Sequence, residues 1–237
     1  MIDSWTKKAI LNEFERDFNS NRTLTKLYAA VKKGTASEAD NYAFAKEISK
    51  ISNNIFNEYL LDEDYDYQEM VDNLIYPILQ KDYGLIASYS SDVQKIKFEG
   101  LKLGLNPIEP PIDNDRAVGL QEKFKEVATR EGYIEKHDSL SQKVENFNYH
   151  IVDEAIKQNA EFMKGSGFTT KITRTTLGET CEWCKKLAGT YYDPSSGDGE
   201  IFMRHDNCDC HIRVEYAKNS RPSYYMRTSG NAFVRSD

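Results

Sequence analysis

Ser139-Leu-Ser-Gln-Lys-Val-Glu-Asn-Phe-Asn-Tyr-His-Ile-Val-Asp-Glu-Ala-Ile-Lys-Gln-Asn-Ala-Glu-Phe-Met-Lys164, followed at once by Gly165-Ser-Gly167, divides the chain into two textures. Leu140, Val144, Phe147, Ile151 and Ala155 recur at helical spacing, and Val152, Ile156, Ala160 and Met163 form a second stripe beside them. A helix apolar over so wide a face belongs at the centre of a core. The two glycines stop it, and beyond them the helical pattern is lost.

Upstream, the apolar spacing predicts further helices. Phe44, Ile48, Ile51, Ile55 and Tyr59 share one face, with Ser37 and Asp40 placed to cap it. Earlier helices carry Ile10, Phe14 and Phe18, then Leu24, Leu27, Tyr28 and Val31. Met70, Leu74 and Ile78 begin a stripe that Leu85, Tyr89, Val93 and Ile96 continue, and Pro77 inside it is expected to kink or restart the helix. Asn106-Pro-Ile-Glu-Pro-Pro-Ile112 breaks the run, since each proline pushes its predecessor toward extended backbone. A short helix with Leu120, Phe124 and Val127 is expected to end near Gly132 as its left-handed C′ residue, with the long helix starting at Ser139.

Downstream, Phe168 to Thr176 is rich in β-branched residues and free of helical period. Thr190-Tyr-Tyr192 and Ile212 to Tyr216 are two more short strands, and Asp193-Pro-Ser-Ser-Gly-Asp-Gly199 is a loop. The expected organisation is therefore mainly α with a small C-terminal α+β zinc-knuckle module: a helical region 1–165 with its proline-rich break at 106–111, a zinc-binding module 166–216, and a basic, aromatic tail 217–237.

The 237 residues suffice for one large domain or two modest ones. A formal net charge of −7 argues against a chain whose main task is to coat nucleic acid. The balance is uneven: −9 through Met163, from 20 Lys/Arg against 29 Asp/Glu, and +2 beyond it, from 11 against 9. No stretch reaches the roughly 20 apolar residues of a membrane span, and Met1-Ile-Asp-Ser-Trp-Thr-Lys-Lys8 lacks a signal-peptide core, so the expectation is a soluble, cytoplasmically made protein.

All four cysteines and two of the four histidines fall in Cys181-Glu-Trp-Cys184 and His205-Asp-Asn-Cys208-Asp-Cys210-His211. A CxxC knuckle presents two thiolates on one side of a tight turn, and a second pair completes a zinc tetrahedron. The candidate ligands are Cys181, Cys184, His205, Cys208 and Cys210, with His211 a poorer option. The spacing leaves open whether His205 or Cys208 stands beside Cys210. Disulfides fit a reducing compartment poorly, and a redox CxxC would follow a βαβ pattern that is missing. A structural zinc would staple the short strands together, where apolar residues are few. A catalytic zinc would need an open position and a base such as Glu182, Glu200, Asp206 or Asp209. Neither HExxH nor the deaminase HxE…PCxxC is present, nor GxSxG, Walker A or GxGxxG, and His137 and His150 read as surface or core-edge residues.

Thr173-Arg174, Cys181-Glu-Trp-Cys184-Lys-Lys-Leu-Ala-Gly189-Thr-Tyr191, Arg204-His-Asp-Asn-Cys208-Asp-Cys210 and Val214-Glu-Tyr216 together resemble the C-terminal module of tailed-phage minor head proteins, the Mu F-like and SPP1 head-morphogenesis group. The likeness covers about 45 residues on the CxxC, Gly-aromatic and HxxCxC signature; upstream it extends weakly to Asp92-Val-Gln94, Gly104-Leu-Asn-Pro107 and Asn159-Ala-Glu-Phe162. It implies a non-enzymatic, low-copy virion component, made in the host cytoplasm and placed inside the head near the portal. Its helices would contact portal, scaffold or major capsid protein, and its zinc would be structural. The usual HPxCRC of that group is HDNCDC here, which puts two acids beside the site. Packaged viral DNA is therefore better assigned to the tail, through Arg221, Arg227 and Arg235. Two other readings are a metal-dependent nuclease or toxin-like phage protein and a zinc-stapled protein-interaction adaptor.

Overall fold

The computed structural model describes residues 3–177, 181–205 and 208–218, and the backbone of 225–227 and 233–235. Six helices account for the region before Ser166: α1 (Ser4–Ser20), α2 (Arg22–Lys32), α3 (Glu38–Leu61), α4 (Tyr67–Gly100), α5 (Asn114–Glu126) and α6 (Arg130–Gly165). Their starts obey local chemistry. Asp3, Asn21, Asp66, Asp113 and Thr129 each accept a hydrogen bond from an otherwise orphaned first-turn N–H. Ser37 and Asp40 form the expected capping box at α3.

The apolar stripes meet in one core. Phe44, Ile48 and Ile55 of α3, Met70, Leu74, Ile78 and Tyr89 of α4, and Val144, Val152 and Ile156 of α6 are all buried there. Three sequence expectations are corrected. Pro77 does not restart a helix, because α4 runs through it over 34 residues. The missing N–H costs one ladder bond, and the burial of Leu74, Ile75, Ile78 and Leu79 on either side outweighs it. Gly132 is not a C′ residue but lies in the first turn of α6, where its N–H donates to Thr129 Oγ1 at 3.1 Å. The left-handed position after α5 is taken by Ala128, at φ 66°. Consequently α6 starts at Arg130, nine residues before Ser139, and its 36 residues span about 54 Å.

After the Gly165–Gly167 break come β1 (Phe168–Thr175), a short α7 (Glu182–Leu187), β2 (Gly189–Tyr191), a 3-10 segment (Ser196–Phe202) and β3 (His211–Lys218). The three strands form an antiparallel sheet in the order β2-β1-β3. Alternation turns Thr170, Ile172 and Arg174 of β1 inward, opposite Tyr216, Val214 and Ile212 of β3. Ile172, Ile201, Phe202, Ile212 and Val214 belong to the same core as the helices, so region 166–216 is packed onto the helical body through α3 and α6. Tyr225–Arg227 and Phe233–Arg235 pair as a separate two-stranded ribbon, β4 and β5. Among the described residues no helix is long and apolar enough to cross a membrane. Asp206 and Arg221 lie outside the described residues, as do the side chains of Arg227 and Arg235.

Candidate metal centre

Cys181 is the N-cap of α7: its Sγ accepts from Cys184 N–H at 3.4 Å, and its carbonyl accepts from Lys185 N–H at 3.1 Å. That turn brings both sulfurs of the CxxC to one side. The segment between the 3-10 turn and β3 returns His205, Cys208 and Cys210 to the same place. His205 Nε2 lies 3.2 Å from Cys181 Sγ and 2.8 Å from Cys184 Sγ, and Cys208 Sγ lies 3.7 Å from Cys184 Sγ. The donors form two groups that share Cys184. Cys181, Cys184 and His205 are one, Cys184, Cys208 and Cys210 the other, and within each all atoms are within 4.8 Å of one another. The edges of a zinc tetrahedron built from sulfur and nitrogen ligands are about 3.5–3.8 Å. All five predicted ligands are thus brought together, in a form that can hold a metal ion.

His211 takes no part. Its ring stacks on Tyr42 at 4.0 Å, and burial together with the Arg204 charge pushes its pKa down to about 4. Glu182, Glu200 and Asp209 are exposed and stand outside the donor groups. Among the four thiols only that of Cys181 is exposed, and hydrogen bonding from the Cys184 amide lowers its pKa. Cys208 is drawn down to about 5, first by hydrogen bonding from Cys210 and further by the charges of Arg204 and Arg174; the same contact raises Cys210. Soft, thiolate-rich donors of this kind suit zinc chemistry.

Two buried arginines hold the centre in place. Arg174, 1% exposed, donates through Nη1 to the carbonyls of Ile201 and Met203 at 2.7 and 2.9 Å, and through Nη2 to Cys208 Sγ at 3.6 Å. Its guanidinium also lies over the Trp183 ring at 5.4 Å, while Trp183 meets the His205 ring edge-on at 5.5 Å. Arg204 donates to the carbonyls of Cys208 and Cys210 at 2.8 and 2.6 Å, which fixes the backbone of the CxC. On its other side it forms a buried ion pair with Asp153 of α6 and lies over the rings of Tyr42 and Tyr149, at 5.5 and 4.9 Å from their centroids. Tyr42 donates to Asp153 and accepts from Ile212 N–H at 2.9 Å. Asn146 donates to the His205 carbonyl. Burial would strip Arg204 of its proton, but the Asp153 charge overrides that and raises its pKa.

Spacing alone sets Arg174 and Arg204 within a motif but gives neither a role, and it gives no notice of Asp153, Tyr42 or Asn146. Two signals are nonetheless present in the sequence: Arg174 occupies an inward position of a strand alternation, and Asp153 borders the second apolar stripe of α6, three residues before Ile156. Comparison with family models, with curated proteins and with solved structures finds no match to this chain.

Proposed function

We propose that the chain is a structural minor head protein of a tailed bacteriophage, stapled by one zinc ion and acting in head morphogenesis and in the packaging or delivery of DNA. The observation that carries this reading is the convergence of the CxxC and HxxCxC donors on one centre whose backbone is clamped to a long helix by Arg204 and Asp153. Cysteine-rich, largely buried donor sets close around zinc and contribute folding energy. Four of the five donors Cys181, Cys184, His205, Cys208 and Cys210 supply the ligands, and the ion supplies a cross-link. The exposed carboxylates outside the donor groups favour a staple over a hydrolytic centre. The helical body then serves as the surface for portal, scaffold or major capsid protein inside the head, and the basic tail for packaged DNA.

Elemental analysis with native mass spectrometry tests the staple: one zinc per chain is expected. Proteomics of purified phage particles from the source host tests the assignment, together with gene order, where a portal gene upstream and a scaffold or coat gene downstream are expected. Absence of the chain from particles, in a genome without those neighbours, refutes it.

A further inference from the structure

Helix α2, Arg22–Lys32, carries with its C-cap Lys33 four cations and no acid, whereas the rest of region 1–163 holds 16 Lys/Arg against 29 Asp/Glu. Leu24 and Leu27 turn into the core, and Arg22, Lys26, Lys32 and Lys33 are all exposed. At 3.6 residues per turn, Arg22, Lys26 and Lys33 fall within about 40° of one another, in a line about 16 Å long. Ala29 occupies the gap in that line, and Thr25 and Lys32 flank it on one side. Among the described residues none of the four cations forms an ion pair, although Arg16, Lys50 and Lys81 of neighbouring helices do. Acids beside the helix are engaged elsewhere. Glu47 accepts from Asn21 Nδ2 at 3.0 Å and pairs with Lys50, and Asp17 pairs with Arg16. Asp92 acts on Tyr28, whose ring packs inward against Phe44 and Tyr89.

We infer that the exposed face of α2 is a docking surface for the phosphate backbone of duplex DNA, with Arg22, Lys26 and Lys33 as its phosphate contacts. The fold does not call for this row, because like charges one turn apart weaken a helix and the packing of α2 rests on its leucines. None of the exposed side chains of α2 is apolar or aromatic. The face therefore lacks what would enter a membrane, anchor a protein partner or stack an unpaired base. Phosphates need only cations and hydroxyl groups, and a straight row with a small residue at its middle lets a duplex backbone come close. The acidic remainder of the chain confines this contact to one face: at 0.1 M salt, charges more than about 10 Å away are largely screened, and a phosphate touching Lys26 is not. The inference extends the reading above, which gives packaged DNA to the tail, and it rests on that reading only for DNA as the polyanion.

The test uses the full chain and a short, fluorescent DNA duplex of random sequence, with anisotropy read between about 50 and 200 mM salt. Three phosphate contacts give an expected slope of log affinity against log salt of about −3. Replacing Arg22, Lys26 and Lys33 together by Gln, a good helix former, should weaken binding at low salt by at least about tenfold and flatten the slope. Replacing the exposed Lys102, Lys136 and Lys186 by Gln makes the same change in net charge and should leave affinity within about twofold. Acetylation of the unmodified chain decides the matter even where a variant folds poorly: the duplex should protect Lys26 and Lys33 and leave Lys102 and Lys136 reactive. The inference is overturned if the two triple variants weaken binding equally, if the duplex protects neither Lys26 nor Lys33, or if the unmodified chain does not bind at low salt. Loss of binding on replacing only Arg221, Arg227 and Arg235, with the α2 variant unaffected, also overturns it and leaves DNA with the tail. The virion reading is judged separately, by presence of the chain in purified particles.

Discussion

Replacing Asp82 by Asn should stabilise the protein above neutral pH and leave it unimproved in acid. Asp82 is fully buried on α4, where both carboxylate oxygens accept from Ser52 Oγ of α3, at 2.7 and 2.8 Å, and Oδ2 also accepts from Asn148 Nδ2 of α6 at 3.0 Å. Asn148 donates in turn to Ser49 Oγ, so the groups facing the carboxyl from α3 and α6 are uncharged. Lys81, whose charge acts on the carboxyl to lower its pKa, pairs with Glu15 at the surface. Burial dominates these hydrogen bonds and pushes the carboxyl up to about 7 from 3.8. At about 1.36 kcal/mol per unit, the gap of about 3 units is about 4 kcal/mol. The sign comes from proton binding: between pH 4 and 7 the folded state holds a proton that the unfolded chain has released, so this contribution is full below pH 4 and lost as pH rises through 7. Asparagine removes the ionisation and keeps the shape. Its new N–H₂ must find an acceptor, which the Ser52 hydroxyl offers by turning from donor to acceptor, at a cost of about 1–3 kcal/mol. A net gain of about 1–3 kcal/mol at pH 8 remains, falling to zero or below at pH 4. Urea unfolding at half-unit pH intervals measures it. Parallel pH–stability curves for the two proteins would refute the reasoning, because they would mean that Asp82 takes up no proton on folding.

Arg204→Met should cost about 3–5 kcal/mol in urea unfolding, since it strands Asp153 as an uncompensated buried charge; adding Asp153→Leu should recover much of that loss. Tyr42→Phe removes the donor to Asp153 and the acceptor of Ile212 N–H, and should lower stability by about 1–3 kcal/mol with no change in zinc content. Chelation at neutral pH, or Cys181→Ser, should expose 166–216 to protease while α3, α4 and α6 keep their circular dichroism; full resistance beyond Gly165 would count against the staple. Two glycines should behave oppositely. Gly84→Ala, exposed within α4 with open space around its Cβ, should gain about 0.5–1 kcal/mol, whereas Gly132→Ala should lose stability because its Cβ would lie 2.7 Å from the Val127 carbonyl oxygen.

The helices are legible in the sequence because each buries a stripe of its own residues, and a period of 3.6 is a local property. The capping box at Ser37 and Asp40 is legible for the same reason. The start of α6 is not. Gly132 looks like a terminator when read alone, and only Ala128, in the left-handed region three residues after Lys125, shows that α5 has already ended. Pro77 misleads because a proline penalty is local while the burial that overcomes it comes from three helices. At the metal centre the ligand residue types declare themselves by spacing. The parts that hold them do not, since Asp153 and Arg204 are 51 residues apart and Tyr42 and Ile212 are 170 apart. No short window of sequence contains both members of either pair.

Those separations order events in time during synthesis. Chain elongation at about 5–20 residues per second delivers Tyr42, then Asp153, and only seconds later Arg204 and the strand with Ile212. A nascent chain that has assembled α3, α4 and α6 therefore carries a carboxylate at a site built to enclose it, with its cation still inside the ribosome. Closing that part of the core early would cost the desolvation of an unpaired charge, so the growing chain is best served by leaving it open to water. The segment from Arg204 to Val214 then brings the counter-ion and the strand that covers it together, which makes its arrival the step that closes this part of the core over Asp153.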